Sequence, residues 1–110
     1  MTATNYLNAQ IISMINRCGG YVWRNNTGAS RNGRLRFGKV GSGDVIGLWA
    51  DGRFISVETK MGRDKASQAQ LDFAKMVNDL GGMAIFACDI QDVIDMINQL
   101  RRDERIPFYP

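Results

Sequence analysis

The chain contains no histidine. That absence excludes a Ser-His-Asp triad, a Cys-His pair, histidine metal ligands and a histidine general base. Any metal must be held by oxygen, which favours magnesium or manganese. Cysteine is scarce, with only Cys18 and Cys88. Two isolated cysteines do not make a zinc site. Each closes an apolar segment, so both read as small buried residues rather than as a disulfide. No run approaches the roughly 18 apolar residues of a membrane span. The first residues, Met1-Thr2-Ala3-Thr4-Asn5, lack the basic-then-apolar pattern of a secretory signal, so an intracellular protein is expected.

Acid is also missing from one part of the chain. Residues 1–43 carry Arg17, Arg24, Arg31, Arg34, Arg36 and Lys39 and no acidic residue; residues 44–110 carry eight bases and eleven acids. The first acid is Asp44. A basic arm leading into an acidic pocket suits a polyanion and a cation site together; the plain alternative is a solvated basic loop. At 110 residues the chain makes one domain, 1–110, with a thin core that a second copy would help to stabilise. No internal repeat and no second domain are evident.

Apolar spacing predicts a first helix over 5–18, with Leu7, Ile11, Met14, Ile15 and Cys18 on one face and Gly19-Gly20 as its stop. Tyr21-Val22-Trp23 reads as a short strand. Residues 25–43 are rich in Gly, Asn, Ser and Arg and read as a long, partly extended loop. Strands at 44–49 and 53–60 flank an Asp51-Gly52 turn, which makes a hairpin. A second helix is expected over 67–80, with Leu71, Ala74, Val77 and Leu80 inward and Phe73 and Met76 beside them. Ser67 and Gln70 fit a capping box at its start, and Gly81-Gly82 ends it. Met83 to Cys88 is a continuous apolar run, expected to be a strand covered on both faces. Asp89 is a good cap for a third helix, with Ile90, Val93, Ile94, Ile97 and Leu100 as its stripe. The crossover through the second helix makes the last strand parallel to its neighbour. The expected fold is α/β, a small mixed sheet flanked by helices.

The chemistry concentrates in the hairpin. Residues two apart on a strand face the same way, so Glu58 and Lys60 share a face with Ser56 and Phe54, while Ile55 and Val57 turn to the core. Asp44 opens the partner strand after Gly41-Ser42-Gly43. The hairpin can therefore bring both carboxylates to one cation beside an ammonium. The Thr59 carbonyl, lying between Glu58 and Lys60, is a candidate third oxygen ligand. Two carboxylates, a lysine and a divalent ion suit hydrolysis of a phosphodiester. Lys60 would stabilise developing negative charge or orient the attacking water. An isolated Glu-x-Lys also fits a solvated cross-strand charge pattern, and Asp44 a turn residue.

Taken in order, these segments resemble a known family. Asp44 followed by Glu58-Thr59-Lys60 is similar to the core of the PD-(D/E)XK nuclease superfamily. The nearer likeness is to the virus-type replication-repair nucleases, VRR-NUC, in small stand-alone form. It spans about residues 5 to 98 and includes Val22-Trp23-Arg24-Asn25-Asn26-Thr27-Gly28, the glycine-rich run into Asp44-Val45-Ile46-Gly47, Val57-Glu58-Thr59-Lys60, Lys65-Ala66-Ser67-Gln68-Ala69-Gln70 and Gly81-Gly82. The resemblance implies a restriction-endonuclease-like fold and a Mg2+- or Mn2+-dependent DNA endonuclease. It implies that Asp44, Glu58 and the Thr59 carbonyl bind metal, that Lys60 is the catalytic lysine and that Gln70 completes the site from the second helix. It also implies a structure-selective homodimer acting on branched DNA, in the cytoplasm of a bacterial or phage-infected cell. Two features depart from the pattern. Gly43 stands where the superfamily name has proline. Family members often carry a glutamate early in helix 1, whereas this chain has Thr4, Asn5, Asn8 and Gln10 there.

Arg24, Arg31, Arg34, Arg36 and Lys39 precede the acidic pair and are expected to contact phosphates. Trp23 and Phe37 are candidates for stacking on bases, but for Trp23 a core position at the strand end is the favoured expectation. A non-catalytic nucleic-acid-binding module of the same fold is the alternative to an enzyme, and a structural partner protein docking on an acidic surface is a third reading.

Overall fold

The computed structural model describes residues 2–26, 28, 29, 32 and 36–104, with backbone alone at 28, 29, 36 and 37. Helix α1 spans Ala3–Cys18, and Thr2 caps it by accepting from the Asn5 N–H. Strand β1 (Gly20–Arg24) follows, and then a short antiparallel ribbon of β2 (Gly28–Ala29) and β3 (Arg36–Phe37). The expected long loop is thus part ribbon. Its sequence has no apolar alternation to announce strands. Strands β4 (Val45–Trp49) and β5 (Phe54–Thr59) make the hairpin, closed by paired backbone bonds between Trp49 and the turn. Helix α2 (Gln68–Asp79), strand β6 (Met83–Ala87) and helix α3 (Ile90–Arg102) complete the order.

The main sheet runs β1-β4-β5-β6, antiparallel except for the β5–β6 pair. It is a mixed four-stranded sheet with α1 and α3 on one face and α2 on the other. Leu7, Ile11 and Ile15 of α1 meet Val93, Met96, Ile97 and Leu100 of α3 over Val22, Val45, Trp49, Ile55, Val57 and Ala87. Each fully buried aliphatic side chain there contributes about 1.5–3 kcal/mol. This is the core.

Helix α2 sits differently from its expected stripe. Only Val77 is buried; Leu71, Met76 and Leu80 are exposed, Leu80 by 81%. The inner side is Gln70, Phe73, Ala74 and Val77. An edge-on contact of Phe73 with Phe54 (6.4 Å between centroids) sets that rotation. Cys18 is half-buried and Cys88 exposed, and both are free thiols. Cys88 stands outside its expected burial because β6 ends at Ala87 and the chain turns there into the Asp89 cap of α3.

A seven-residue recurrence, too short to register as a repeat, shapes both edges of the sheet. Asn16 to Val22 and Asn78 to Ala84 each read Asn-x-x-Gly-Gly-x-apolar. Gly19 and Gly81 adopt positive φ (123° and 93°) and turn the chain out of the helix. Each asparagine then reaches the outer edge of the strand that follows. Asn16 accepts from the Val22 N–H (2.7 Å) and donates to the Val22 carbonyl (3.2 Å). Asn78 does the same to Ala84 (2.8 and 3.2 Å). The amide side chain mimics a neighbouring strand and closes that part of each edge. Among the described residues no helix is long and apolar enough to cross a membrane.

Candidate metal and phosphate site

The site lies at the end of the hairpin strands. Register pairs Val45 with Val57, so Asp44 stands one step before the ladder and Glu58 and Thr59 one and two steps past it. Asn25 fixes the approach to Asp44. Its backbone N–H donates to the Asp44 carbonyl (2.8 Å), and its side-chain amide donates to Ser42 Oγ and the Gly43 carbonyl (2.7 and 2.8 Å). Gly43 lies flush against β5, its N–H donating to the buried Ser56 Oγ (3.0 Å). A Cβ at position 43 would fall 2.5 Å from Ser56 Oγ and 2.7 Å from the Val57 carbonyl oxygen. A side chain there would push Asp44 away from Glu58.

Asp44 is held by Thr59. Its Oδ2 accepts from the Thr59 N–H (3.0 Å) and from Thr59 Oγ1 (2.6 Å). The N–H and C=O of one extended residue point to the same strand edge. The Thr59 carbonyl therefore also faces the Asp44 side, as its candidate role requires. The role of the Thr59 hydroxyl and N–H is not visible in local sequence, because it depends on how far β5 outruns β4.

Glu58 faces α2. Its Oε1 accepts from Gln70 Nε2 (2.9 Å) and lies 3.8 Å from Lys60 Nζ. Lys60 also donates to the Lys65 carbonyl in the following connector (3.4 Å). Gln70 serves two ends at once. Its Oε1 accepts from the Ser67 N–H (2.9 Å) in a complete capping box, while its amide nitrogen meets Glu58. Capping and site membership, alternatives from sequence, are one arrangement. The amide presents N–H rather than oxygen to Glu58, so Gln70 can hold that carboxylate in place but does not offer it a second oxygen.

Burial pushes the Glu58 carboxyl from its ordinary 4.5 up to about 7, and the neighbouring Asp44 charge pushes the same way. Lys60 and a hydrogen bond from the Asp44 backbone oppose the rise without cancelling it. Two carboxylates thus repel each other in a partly desolvated place. A cation would relieve that repulsion.

Asn8 lies at this end of α1. The Arg24 guanidinium bonds Asn5 Oδ1 (3.3 Å) and ties the first turns of the helix to the end of β1, beside Asp44. Asn8, one turn on, is 1% exposed, and neither polar atom of its amide has a partner among the described residues. Leaving a buried amide unpaired costs about 1–3 kcal/mol. The donors at this end are hard oxygens plus an unsatisfied amide, which fits a hydrated magnesium or manganese ion. Among the described residues no group of three His, Cys, Asp or Glu side chains gathers anywhere.

The basic residues are scattered. Strand alternation turns Arg24 to the α1 face, away from Glu58. Lys39 is exposed beside the first turns of α2, near Val40, Ala69 and Asp72. Arg31 and Arg34 lie outside the described residues, and of Arg36 and Phe37 only the backbone is described. Trp23 is not in the core; it is 46% exposed on the Glu58 face. No family model, curated protein or solved structure matches the chain.

Proposed function

We propose that the protein is a divalent-metal-dependent DNA endonuclease that hydrolyses phosphodiester bonds, acting on branched or junction DNA as a homodimer. The observation that carries this reading is the meeting of Asp44, Glu58 and Lys60 at one end of the hairpin, with Glu58 held by Gln70 and repelled by Asp44. Asp44, Glu58 and the Thr59 carbonyl would hold the ion. Bound there, Mg2+ or Mn2+ would neutralise charge on the scissile phosphate and make the attacking water more acidic. The protein supplies the rest. Thr59 fixes Asp44, and Gln70 fixes Glu58. Lys60 places an ammonium where charge develops on the phosphate. A homodimer would present two such sites to two strands. Asn16 and Asn78 occupy the sheet edges, so pairing through sheet extension at Val22 or Ala84 is disfavoured.

The test is cleavage of duplex, flap and four-way-junction DNA with Mg2+, with Mn2+ and with EDTA. Lys60→Ala is expected to slow metal-dependent cutting by about 10²–10³-fold while leaving the unfolding midpoint unchanged. Cutting that survives EDTA, or is untouched by this substitution, would remove the mechanism. One observation favours a second reading, a binding module without catalysis: helix α1 offers Asn8 and no carboxylate. Salt-sensitive DNA binding with no metal-dependent cutting of any substrate would select that reading.

A further inference from the structure

Helix α2 covers only half of the sheet face that carries Glu58. It packs on β5 and β6. Over β1 and β4 the same face shows Tyr21, Trp23 and Leu48, exposed by 71, 46 and 48%, with Ile46 half-buried among them. The Tyr21 and Trp23 rings lie 5.9 Å apart between centroids, tilted by 54°. Val22, between them in sequence, is in the core. The two aromatics thus stand on an open face beside the candidate site.

Three observations narrow what can cover it. The first is position. Trp23 pairs with Ile46 and Ile46 with Ser56, and Glu58 lies two residues beyond Ser56. Strand spacing and rise put the Trp23 backbone about 12 Å from that of Glu58, a gap that a few nucleotides span. The second is the edge. Asn16 occupies the Val22 N–H and carbonyl, so an added strand is blocked there and an occupant must lie on the face. The third is charge. Both aromatics belong to residues 1–43, which hold six bases and no acid; of the exposed bases there, Lys39 stands on the platform's side beside the first turns of α2, whereas Arg17 and Arg24 lie on the α1 side of the sheet. Exposed rings on a basic segment suit a ligand with flat apolar faces and a polyanionic backbone. A continuous duplex hides its base faces within the stack; an unpaired strand offers them.

We propose that Tyr21 and Trp23 form a stacking platform for the unpaired bases of single-stranded DNA beside the Asp44–Glu58 site. The substrate is then a DNA with a single-stranded segment, such as a flap or a splayed branch, rather than uninterrupted duplex. The link to cleavage rests on the nuclease reading; the platform itself does not.

The two tryptophans make the test direct, because Trp49 is 3% exposed and Trp23 is open. The full chain in EDTA is titrated with a short oligothymidylate and with duplex of equal length, following tryptophan emission and affinity. Single strand is expected to quench emission and to bind more tightly than duplex. Trp23→Ala should abolish most of the quench, and Trp23→Ala and Tyr21→Ala should each weaken single-strand binding by about 5- to 150-fold. Trp23→Phe should retain most of the affinity. Unchanged melting temperatures check the fold. Wild-type affinity in both alanine variants, or equal binding of duplex, would overturn the proposal. So would sedimentation showing a dimer that Trp23→Ala dissociates, since a second copy would then own the face. Quenching and single-strand binding without any metal-dependent cutting would keep the platform and remove the nuclease. Metal-dependent cutting by variants that bind like wild type would do the reverse.

Discussion

The two faces of the sheet are built for different purposes. Under α1 and α3, Ile11, Ile15, Val45, Ile55, Val57, Val93 and Leu100 are fully buried. The opposite face carries Ser56, Glu58 and two exposed aromatics, and α2 contributes one buried residue to it, Val77. Alternation along β5 makes the separation possible, since Ile55 and Val57 point one way and Glu58 the other. The first face provides the stability that lets the second hold a carboxylate where it resists ionising.

The largest effect expected is on the buried face. Ile55→Ala should lower unfolding free energy by about 2–5 kcal/mol, read from urea melts. A loss below 1 kcal/mol would mean that this face is not the main source of stability. Glu58→Gln tests the other face. The folded carboxyl titrates near 7 against an ordinary 4.5. The folded state therefore binds the extra proton between those values, and stability falls as pH rises through that window. Below pH 4.5 the carboxyl is protonated in both states and the penalty vanishes. Above pH 7 it is ionised in both and the penalty is complete. In EDTA, Glu58→Gln should match wild type at pH 4 and be more stable than wild type at pH 8; equal stability at both would break the contrast.

Gln70→Ala joins the faces to the helix above them. Losing the cap bond should cost about 1 kcal/mol, measured by thermal unfolding, with slower cutting as Glu58 loses its anchor. A change in stability without a change in rate would leave Gln70 a cap alone. Leu80→Ser is the smallest test. At 81% exposure it should shift stability by no more than about 0.5 kcal/mol; a larger loss would restore Leu80 to the inner stripe.

Much of this was legible in the sequence wherever a signal is local. The Asp51-Gly52 turn, the Ser67–Gln70 box, the Asp89 cap and the two Gly-Gly stops fix where elements begin and end. The pairing of Glu58 with Lys60 follows from alternation. What escaped depends on contacts between distant segments. The rotation of α2 follows from Phe54 and Glu58 as much as from its own spacing, because two overlapping stripes fit the same helix. The Thr59 clamp on Asp44 needs the offset of β4 against β5. The exposure of Trp23 depends on α2 stopping short of β1, which no feature of the Tyr21-Val22-Trp23 segment reveals. The Asn-x-x-Gly-Gly recurrence is plain in the letters, yet its meaning appears only when β1 and β6 prove to be the outer strands.

Those two asparagines also bear on what happens when many copies crowd together. A sheet of four strands with bare margins could add chains side by side without limit, each new arrival templating the next. Here α1 and α2 each carry a stopper, placed six residues ahead of the strand residue it guards, so that stretch of margin is closed as soon as helix and strand have docked. Protection of this kind depends on no partner or ligand, and a newly made chain would carry it from its first moments as a folded molecule.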